Sequence, residues 1–231
     1  MTPRLPSGVA PKAVFFDLDG TLLHTAPDLA AAVNALLVDL GRKPLREAFV
    51  SDLIGKGIHV LVERALNASD GAPLDAKRSD VEQHLPQFQT HYAAQNGQSA
   101  SDYPDMRAGL EAFAARGIQL GVITNKAHAF TMPLLEKTGL ARFFAVVVSG
   151  DTTAKRKPDA LPMHYACAQL GVSPSEALMI GDSGNDCLAA RAAGMPVWVV
   201  PYGYNEGQPV AQLDCDGIVA SLLVAAKALP A

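Results

Sequence analysis

The sequence predicts an α/β protein: a parallel β-sheet with helices on both faces, and a second, helical domain inserted after the first strand. Two observations predict this class. Five short apolar runs have strand length, and the last four alternate with helix-like segments, as in sheets built from β-α-β units. About eighty residues, 25–103, separate the first run from the next core helix and carry apolar residues at helical spacing.

The predicted strands are rich in β-branched or aromatic residues. They cover 13–18, 118–124, 143–149, 177–182 and 196–200. Helices are expected at 27–40, 45–53, 57–67 and 75–94 in the insertion, and at 106–116, 127–139, 158–170 and 185–193 elsewhere. Glycines close several of these helices, as at Gly171 and Gly194. We therefore expect a core formed by 1–24 and 95–231, and a helical cap domain formed by 25–94.

The composition is that of a globular protein with a sizeable core, since 49% of the 231 residues are hydrophobic. Lys and Arg number 19 against 23 Asp and Glu, so no overall basic field favours nucleic acid or an anionic membrane. The three cysteines are far apart and lack CxxC spacing, which argues against disulfides or a zinc site. Because signal-peptide and membrane-spanning patterns are absent, we expect a cytoplasmic protein, monomeric or homodimeric, that acts on a small molecule.

Polar residues follow four of the predicted strands. They are Asp17 and Asp19 after the first, Thr124 and Asn125 after the second, Lys157 in the loop after the third, and Asp182 and Asp186 in "GDSGND" after the fourth. Ligands of open parallel sheets bind beyond the carboxyl ends of the strands. We therefore expect these side chains to converge on one site.

The acids of this set predict a Mg²⁺ site, because Mg²⁺ prefers carboxylate oxygens and substrate phosphates. Asp17 and Asp19 are two apart on an extended segment, so they lie on one side and repel each other unless a cation or proton intervenes. With Mg²⁺ bound, Asp17 can act as a nucleophile that forms an acyl phosphate. Asp19 can then protonate the leaving alkoxide and later activate water. Asp182 would be a direct metal ligand.

The remaining residues of the set suit phosphoryl transfer. Thr124 and the backbone amides beside it, at Asn125, can donate hydrogen bonds to phosphoryl oxygens. Lys157 can offset the charge that develops in transfer and help to keep Asp17 deprotonated. Asp186 would act from outside the ligand shell by orienting water or Lys157.

The ordered motifs "DLDGT", "TN", a lysine followed by proline, and "GDSGND" resemble those of the haloacid dehalogenase superfamily, specifically its Mg²⁺-dependent phosphatases. Three longer stretches, "DLDGTLLHTAPDLAAAVN", "GKGIHVLVERAL" and "PYGYNEG", resemble phosphoglycolate phosphatases. The resemblance implies a Rossmann-like core, a helical cap and hydrolysis of 2-phosphoglycolate to glycolate and phosphate through an aspartyl-phosphate. It also implies Asp17 as nucleophile, Asp19 as acid and base, and Asp17, the Asp19 main-chain carbonyl and Asp182 as metal ligands.

Three residues depart from the pattern of that family. His24 stands where an aspartate is usual, Gly184 where a larger residue is common, and Ala160 where a proline is frequent. His24, near the expected hinge, could make cap closure depend on pH. In the insertion, Lys56 stands between two glycines and either reaches the substrate carboxylate or lies in an exposed turn.

Two other functions stay open at this point. A phosphomutase, or a phosphatase for another small phosphate such as a sugar phosphate, would keep the same core residues and differ in the cap. A non-catalytic module would use the acids only to bind a cation. The complete set of Asp17, Asp19, Thr124, Lys157 and Asp182 argues against the second alternative.

Overall fold

The protein contains a central parallel sheet, seen in a computed structural model that describes residues 3, 5 and 8–230. The strands of this part are β1 (Ala13–Phe16), β2 (Leu23–His24), β3 (Ser101–Asp102), β4 (Gln119–Ile123), β5 (Val146–Val148), β6 (Ala177–Gly181), β7 (Val197–Val199) and β8 (Gly217–Ile218). Six of them form the parallel sheet, in the order β5-β4-β1-β6-β7-β8. The five predicted strands are therefore all present, and β1 lies between β4 and β6.

Helices cover both faces of this sheet. Those of the described part are α1 (Ala26–Asp39), α2 (Glu47–Ser51), α3 (Ile58–Asp70), α4 (Val81–Gln95), α5 (Met106–Ala115), α6 (His128–Lys137), α7 (Leu161–Leu170), α8 (Gly184–Ala193) and α9 (Leu222–Ala228). Alternate residues of β1 face opposite layers. Val14 and Phe16 pack with α5, α6 and α9, whereas Ala13 and Phe15 pack with α7 and α8. This arrangement confirms the predicted α/β fold class.

Two predicted helices begin three or more residues later than the sequence suggested. The helix expected at 158–170 begins at Leu161, because the Asp159 carboxylate accepts a hydrogen bond from the Leu161 amide (2.9 Å) and stabilises a turn there. The helix expected at 75–94 begins at Val81. The loop before it is held by the Asn67 amide, which donates to two of its carbonyls.

Helices α1–α4 form a helical insertion, whose apolar cluster also takes in Phe130 of α6 and Tyr204 after β7. This cluster includes Val33 and Leu37 of α1, Val62 and Leu66 of α3, and Phe88 of α4, all buried. The chain leaves the core through β2 and returns through β3, and these two short strands pair antiparallel. Both connections to the insertion therefore lie side by side. No helix in the described part of the chain is both long and apolar enough to cross a membrane.

Candidate active site

Three buried carboxylates meet at the carboxyl ends of β1 and β6. Asp17 follows β1, while Asp182 and Asp186 follow β6, and one oxygen from each lies within 4.8 Å of the others. None of the three side chains is more than slightly exposed. The predicted convergence of these acids is present in the structure, and it creates a strongly negative, desolvated pocket.

Lys157 supplies a buried positive charge to this cluster. Its Nζ lies 3.0 Å from Asp17 Oδ1 and 2.7 Å from Asp186 Oδ1, and it donates to the Ile123 carbonyl at 2.6 Å. Burial lowers the pKa of Lys157, but the two carboxylates outweigh burial, so the pKa is raised above its usual value. The ammonium is therefore charged and fixed in position.

One ammonium does not balance three carboxylates. Burial raises the pKa of Asp17 from 3.8 to about 6; Lys157 opposes this rise, whereas Asp186 and Asp19 add to it. Burial also raises the pKa of Asp182 well above its usual value, with Asp186 and Asp17 adding to the effect. Burial is the largest cause of both shifts and the neighbouring carboxylates add to it, so a cation bound among these acids would favour their charged forms.

The Asp182 side chain is held in position because each of its two oxygens accepts a hydrogen bond from the protein. Thr21 donates to its Oδ1 at 2.9 Å, and the Tyr204 amide donates to its Oδ2. A Cβ at Gly20, which has a φ of +89°, would come within 2.3 Å of that second oxygen, and a Cβ at Gly203 would do the same. Glycine is required at both positions because the backbone approaches the carboxylate so closely.

Asp186 has its oxygens already occupied by protein groups. Its Oδ2 accepts from the amides of Asp182 and Ser183 and from the Ser183 hydroxyl, while Oδ1 accepts from Lys157. With Ser183 it forms the capping box that begins α8. Although its oxygens lie near those of the other two acids, these contacts suit an orienting role better than direct metal binding.

Thr124 and Asn125 lie beside these acids, after β4. Thr124 is buried, and its hydroxyl accepts a hydrogen bond from the Lys126 amide at 3.2 Å. The Asn125 amide donates to the carbonyls of Gly55 (2.9 Å) and Lys157 (3.0 Å). Asn125 Oδ1 is buried without a hydrogen-bond partner among the described residues. Asn125 thus joins a loop of the helical insertion to the core.

The comparisons with known proteins agree with this geometry. The sequence pattern described as haloacid dehalogenase-like hydrolase matches residues 14–200, which include the carboxyl ends of β1, β4, β5, β6 and β7. The chain belongs to this family of hydrolases.

Its relatives are similar over almost the whole chain. A protein of Thiobacillus denitrificans named phosphoglycolate phosphatase is 48% identical, over 93% of this chain and 94% of its own length. One of the same name from Nitrosospira multiformis is also 48% identical, over 94% of each chain. The crystal structure of a predicted phosphoglycolate phosphatase from Haemophilus somnus is 33% identical with a TM-score of 0.86, covering 94% of this chain and 96% of that one.

Asp19, unlike the other acids, points toward the helical insertion. Its Oδ1 accepts from the Thr25 hydroxyl at 2.7 Å, and Lys126 Nζ lies 3.0 and 3.2 Å from its two oxygens. Lys126 also donates to the hydroxyl of Tyr92, on α4. In this hydrolase the predicted acid and base therefore lies between the sheet edge and the insertion.

Sequence reasoning missed Lys126, although it follows directly after the "TN" motif. The residue is buried, and no local pattern distinguishes it from an ordinary loop lysine. Burial lowers the pKa of Lys126, but Asp19 and Tyr92 outweigh burial and raise it above the usual value. Its partners Asp19 and Tyr92 are 107 and 34 residues away along the chain, so only the folded structure shows that the ammonium is enclosed.

The structure pairs Lys56 with a carboxylate of the core. Its Nζ lies 2.9 Å from the Glu206 carboxylate, which also accepts from Arg64 of α3. Glu206 lies in the loop after β7 and has a positive φ of 49°. Lys56 thus joins the insertion to the core, and its predicted contact with substrate stays a prediction.

His24 lies at the connection between core and insertion. Its Nδ1 is 2.7 Å from the Tyr204 hydroxyl, which accepts from the amides of Thr25 and Ala26 at 2.9 Å each. The Tyr103 ring is tilted against the imidazole, with the ring centroids 5.9 Å apart. These contacts hold the start of α1 against the loop after β7.

Proposed function

We propose that this hydrolase is a Mg²⁺-dependent phosphatase that hydrolyses 2-phosphoglycolate to glycolate and phosphate through phospho-Asp17. The observation that carries the proposal is the buried cluster of Asp17, Asp182 and Asp186 around the Lys157 ammonium. The identity of 48% to proteins named phosphoglycolate phosphatase supports the choice of substrate.

The residues present fit Mg²⁺. Burial and the neighbouring carboxylates raise the pKa values of Asp17 and Asp182, which a bound cation would oppose, and the donors are the hard oxygens that Mg²⁺ prefers. Asp17, the main-chain carbonyl of Asp19 and Asp182 would hold the ion. When bound, Mg²⁺ neutralises part of the charge on the carboxylates and on the phosphoryl group.

The chain's own residues perform the two half-reactions. In the first, a carboxylate oxygen of Asp17 attacks phosphorus, the bond from phosphorus to the ester oxygen breaks, and Asp19 donates its proton to the departing glycolate oxygen. In the second, Asp19 accepts a proton from a water molecule that attacks the phosphorus of phospho-Asp17. Phosphate leaves, and the Asp17 carboxylate is restored.

Neighbouring residues assist both steps. Lys157 stays within 3.0 Å of Asp17 and can stabilise charge on the phosphoryl oxygens, while Asp186 fixes its position. The hydroxyl of Thr124, which lines the same cavity, can donate to a phosphoryl oxygen. Asn125 positions the loop that covers them.

The apolar lining of the cavity favours a small substrate over a sugar phosphate. On the side of the insertion its wall carries the apolar side chains of Leu29, Ile54, Ile58 and Leu61, beside Tyr92, whose hydroxyl already accepts from Lys126. The hydroxyl groups of a sugar would be left without hydrogen-bond partners against this wall, which is costly. A two-carbon leaving group carries no such hydroxyls.

The domain division belongs to the same proposal. Residues 1–24 and 95–231 would form the catalytic core, and 25–94 a cap that closes over bound substrate and limits access of water. The paired strands β2 and β3 provide a narrow connection about which such a cap could move. We also propose that the protein works in the cytoplasm, as a monomer or homodimer.

A panel of phosphate monoesters tests this function. Phosphate release is measured with and without Mg²⁺ for 2-phosphoglycolate, several sugar phosphates and p-nitrophenyl phosphate, and substrates are ranked by kcat/KM. We expect 2-phosphoglycolate to rank first and EDTA to abolish turnover. Preference for a sugar phosphate, or return of phosphate to a sugar, would overturn the substrate. Turnover by Asp17→Asn would overturn the nucleophile.

A further inference from the structure

A single cationic side chain, that of Lys126, lines the cavity between the sheet edge and the helical insertion, among the described residues. The other lining residues are acidic, apolar or neutral: Asp17, Asp19, Leu29, Ile54, Gly55, Gly57, Ile58, Leu61, Tyr92, Thr124 and Asn125. The Lys126 side chain is only 3% exposed. A buried ammonium needs a counter-charge, and in the structure Asp19 supplies it at 3.0 Å from Nζ.

We infer that Lys126 binds the carboxylate of the substrate and so selects phosphate esters of short 2-hydroxy acids. The inference deepens the proposed function and rests on it. It assigns to Lys126 the contact that the sequence suggested for Lys56, whose ammonium is instead paired with Glu206. Lys157 does not line this cavity, and its ammonium lies between Asp17 and Asp186, at 3.0 and 2.7 Å.

The distances match a two-carbon leaving group. In the proposed reaction the ester oxygen lies within hydrogen-bond reach of Asp19, and Lys126 Nζ is 3.0 Å from Asp19 Oδ1. In 2-phosphoglycolate the carboxyl carbon is two bonds of about 1.5 Å each from the ester oxygen. The substrate carboxylate can therefore contact Lys126 while the ester oxygen contacts Asp19. In a much longer leaving group, the carboxylate would lie too far from the ester oxygen to make both contacts.

The hydrogen-bonding capacity of Lys126 allows it to bind a substrate carboxylate and keep part of its contact with Asp19. An ammonium has three donors, and in the structure they face Tyr92 and the two oxygens of Asp19. A substrate carboxylate can replace one of the two Asp19 oxygens while the other contact remains. Without Lys126, this carboxylate would lie next to Asp17 and Asp19, with no opposite charge on that side of the cavity.

Neutral replacements of Lys126 test the inference against two substrates of nearly equal size. These are 2-phosphoglycolate and 2-hydroxyethyl phosphate, in which a CH₂OH group replaces the carboxylate. A hydrogen bond between charged groups contributes roughly 1.5 to 3 kcal/mol. We therefore expect Lys126→Met to lower kcat/KM about 10- to 150-fold more for 2-phosphoglycolate than for 2-hydroxyethyl phosphate. Lys77→Met, at an exposed position of the insertion, is the matched control and should leave this ratio unchanged.

Lys126→Gln keeps hydrogen-bonding groups near Asp19 and Tyr92, and it serves as the second variant if Lys126→Met does not fold, as judged by circular dichroism. It should show the same loss of preference. Equal losses for both substrates would mean that Lys126 only positions Asp19, and would overturn the inference. If the proposed function were wrong, the wild-type enzyme itself would show no preference for 2-phosphoglycolate over 2-hydroxyethyl phosphate, before any variant is tested.

Discussion

Asp17→Asn should abolish turnover and yet make the metal-free protein more stable. The native protein binds a proton on Asp17 more tightly than the unfolded chain does, since burial raises its pKa from 3.8 to about 6. The favourable contribution of this proton is complete below pH 3.8. It is lost as the pH rises through about 6, because unfolding then releases the proton. Asparagine has no charge to bury at any of these pH values.

The size of the effect follows from the pKa. At 1.36 kcal/mol for each pKa unit, the rise from 3.8 to about 6 corresponds to roughly 3 kcal/mol at pH 7.5. For a chain of this length, 1 kcal/mol shifts Tm by about 2 to 4 °C, so we expect Asp17→Asn to raise Tm by roughly 6 to 12 °C. At pH 5, about halfway between the two pKa values, about half of the difference in stability between Asp17→Asn and the wild type should remain.

Thermal melts in EDTA at pH 7.5 and pH 5 measure this difference directly. Asp75→Asn, at an exposed position in the insertion, is the matched control and should not change Tm. Mg²⁺ should raise the Tm of the wild type more than that of Asp17→Asn, because the variant lacks one ligand charge. If Asp17→Asn were no more stable than the wild type in EDTA at pH 7.5, the electrostatic reasoning would be refuted.

Three further substitutions probe how the site is held. Asp186→Asn should lower kcat about 10- to 100-fold, since Lys157 loses its shortest ion pair, and activity near that of the wild type would contradict its orienting role. Gly181→Ala places a Cβ 2.3 Å from the Asp186 Cγ, so we expect a lower Tm together with reduced kcat. Glu206→Gln weakens two partly exposed ion pairs with the insertion, so it should cost under about 1 kcal/mol of stability but increase hydrogen exchange in the insertion; unchanged exchange would argue against a connecting role.

The acids of the site could be predicted because their signals are local. A buried strand reads as a run of apolar residues, and its carboxyl end is the next position along the chain. Asp17 and Asp182 each follow such a run, and the topology of a parallel sheet brings these ends together. Very short elements gave no such signal: β2, β3 and β8 have two residues each, too few for any periodicity.

The choice between lysines could not be predicted. Lys56 lies between glycines in the insertion and Lys126 follows a motif, and each has a neighbourhood typical of an exposed loop. The structure pairs Lys56 with Glu206, 150 residues away, and encloses Lys126 between Asp19 and Tyr92. These partners come from distant segments, so no local pattern contains them.

The sequence by itself determined the fold class and the identity of the acids, because strand periodicity and strand ends are properties of a few consecutive residues. Only the tertiary structure decided how many charges the site buries and which ammonium faces each carboxylate. It placed Lys157 between Asp17 and Asp186 and turned Asp19 toward Lys126. The physical reason is that desolvation and charge pairing depend on groups that are close in space and far apart along the chain.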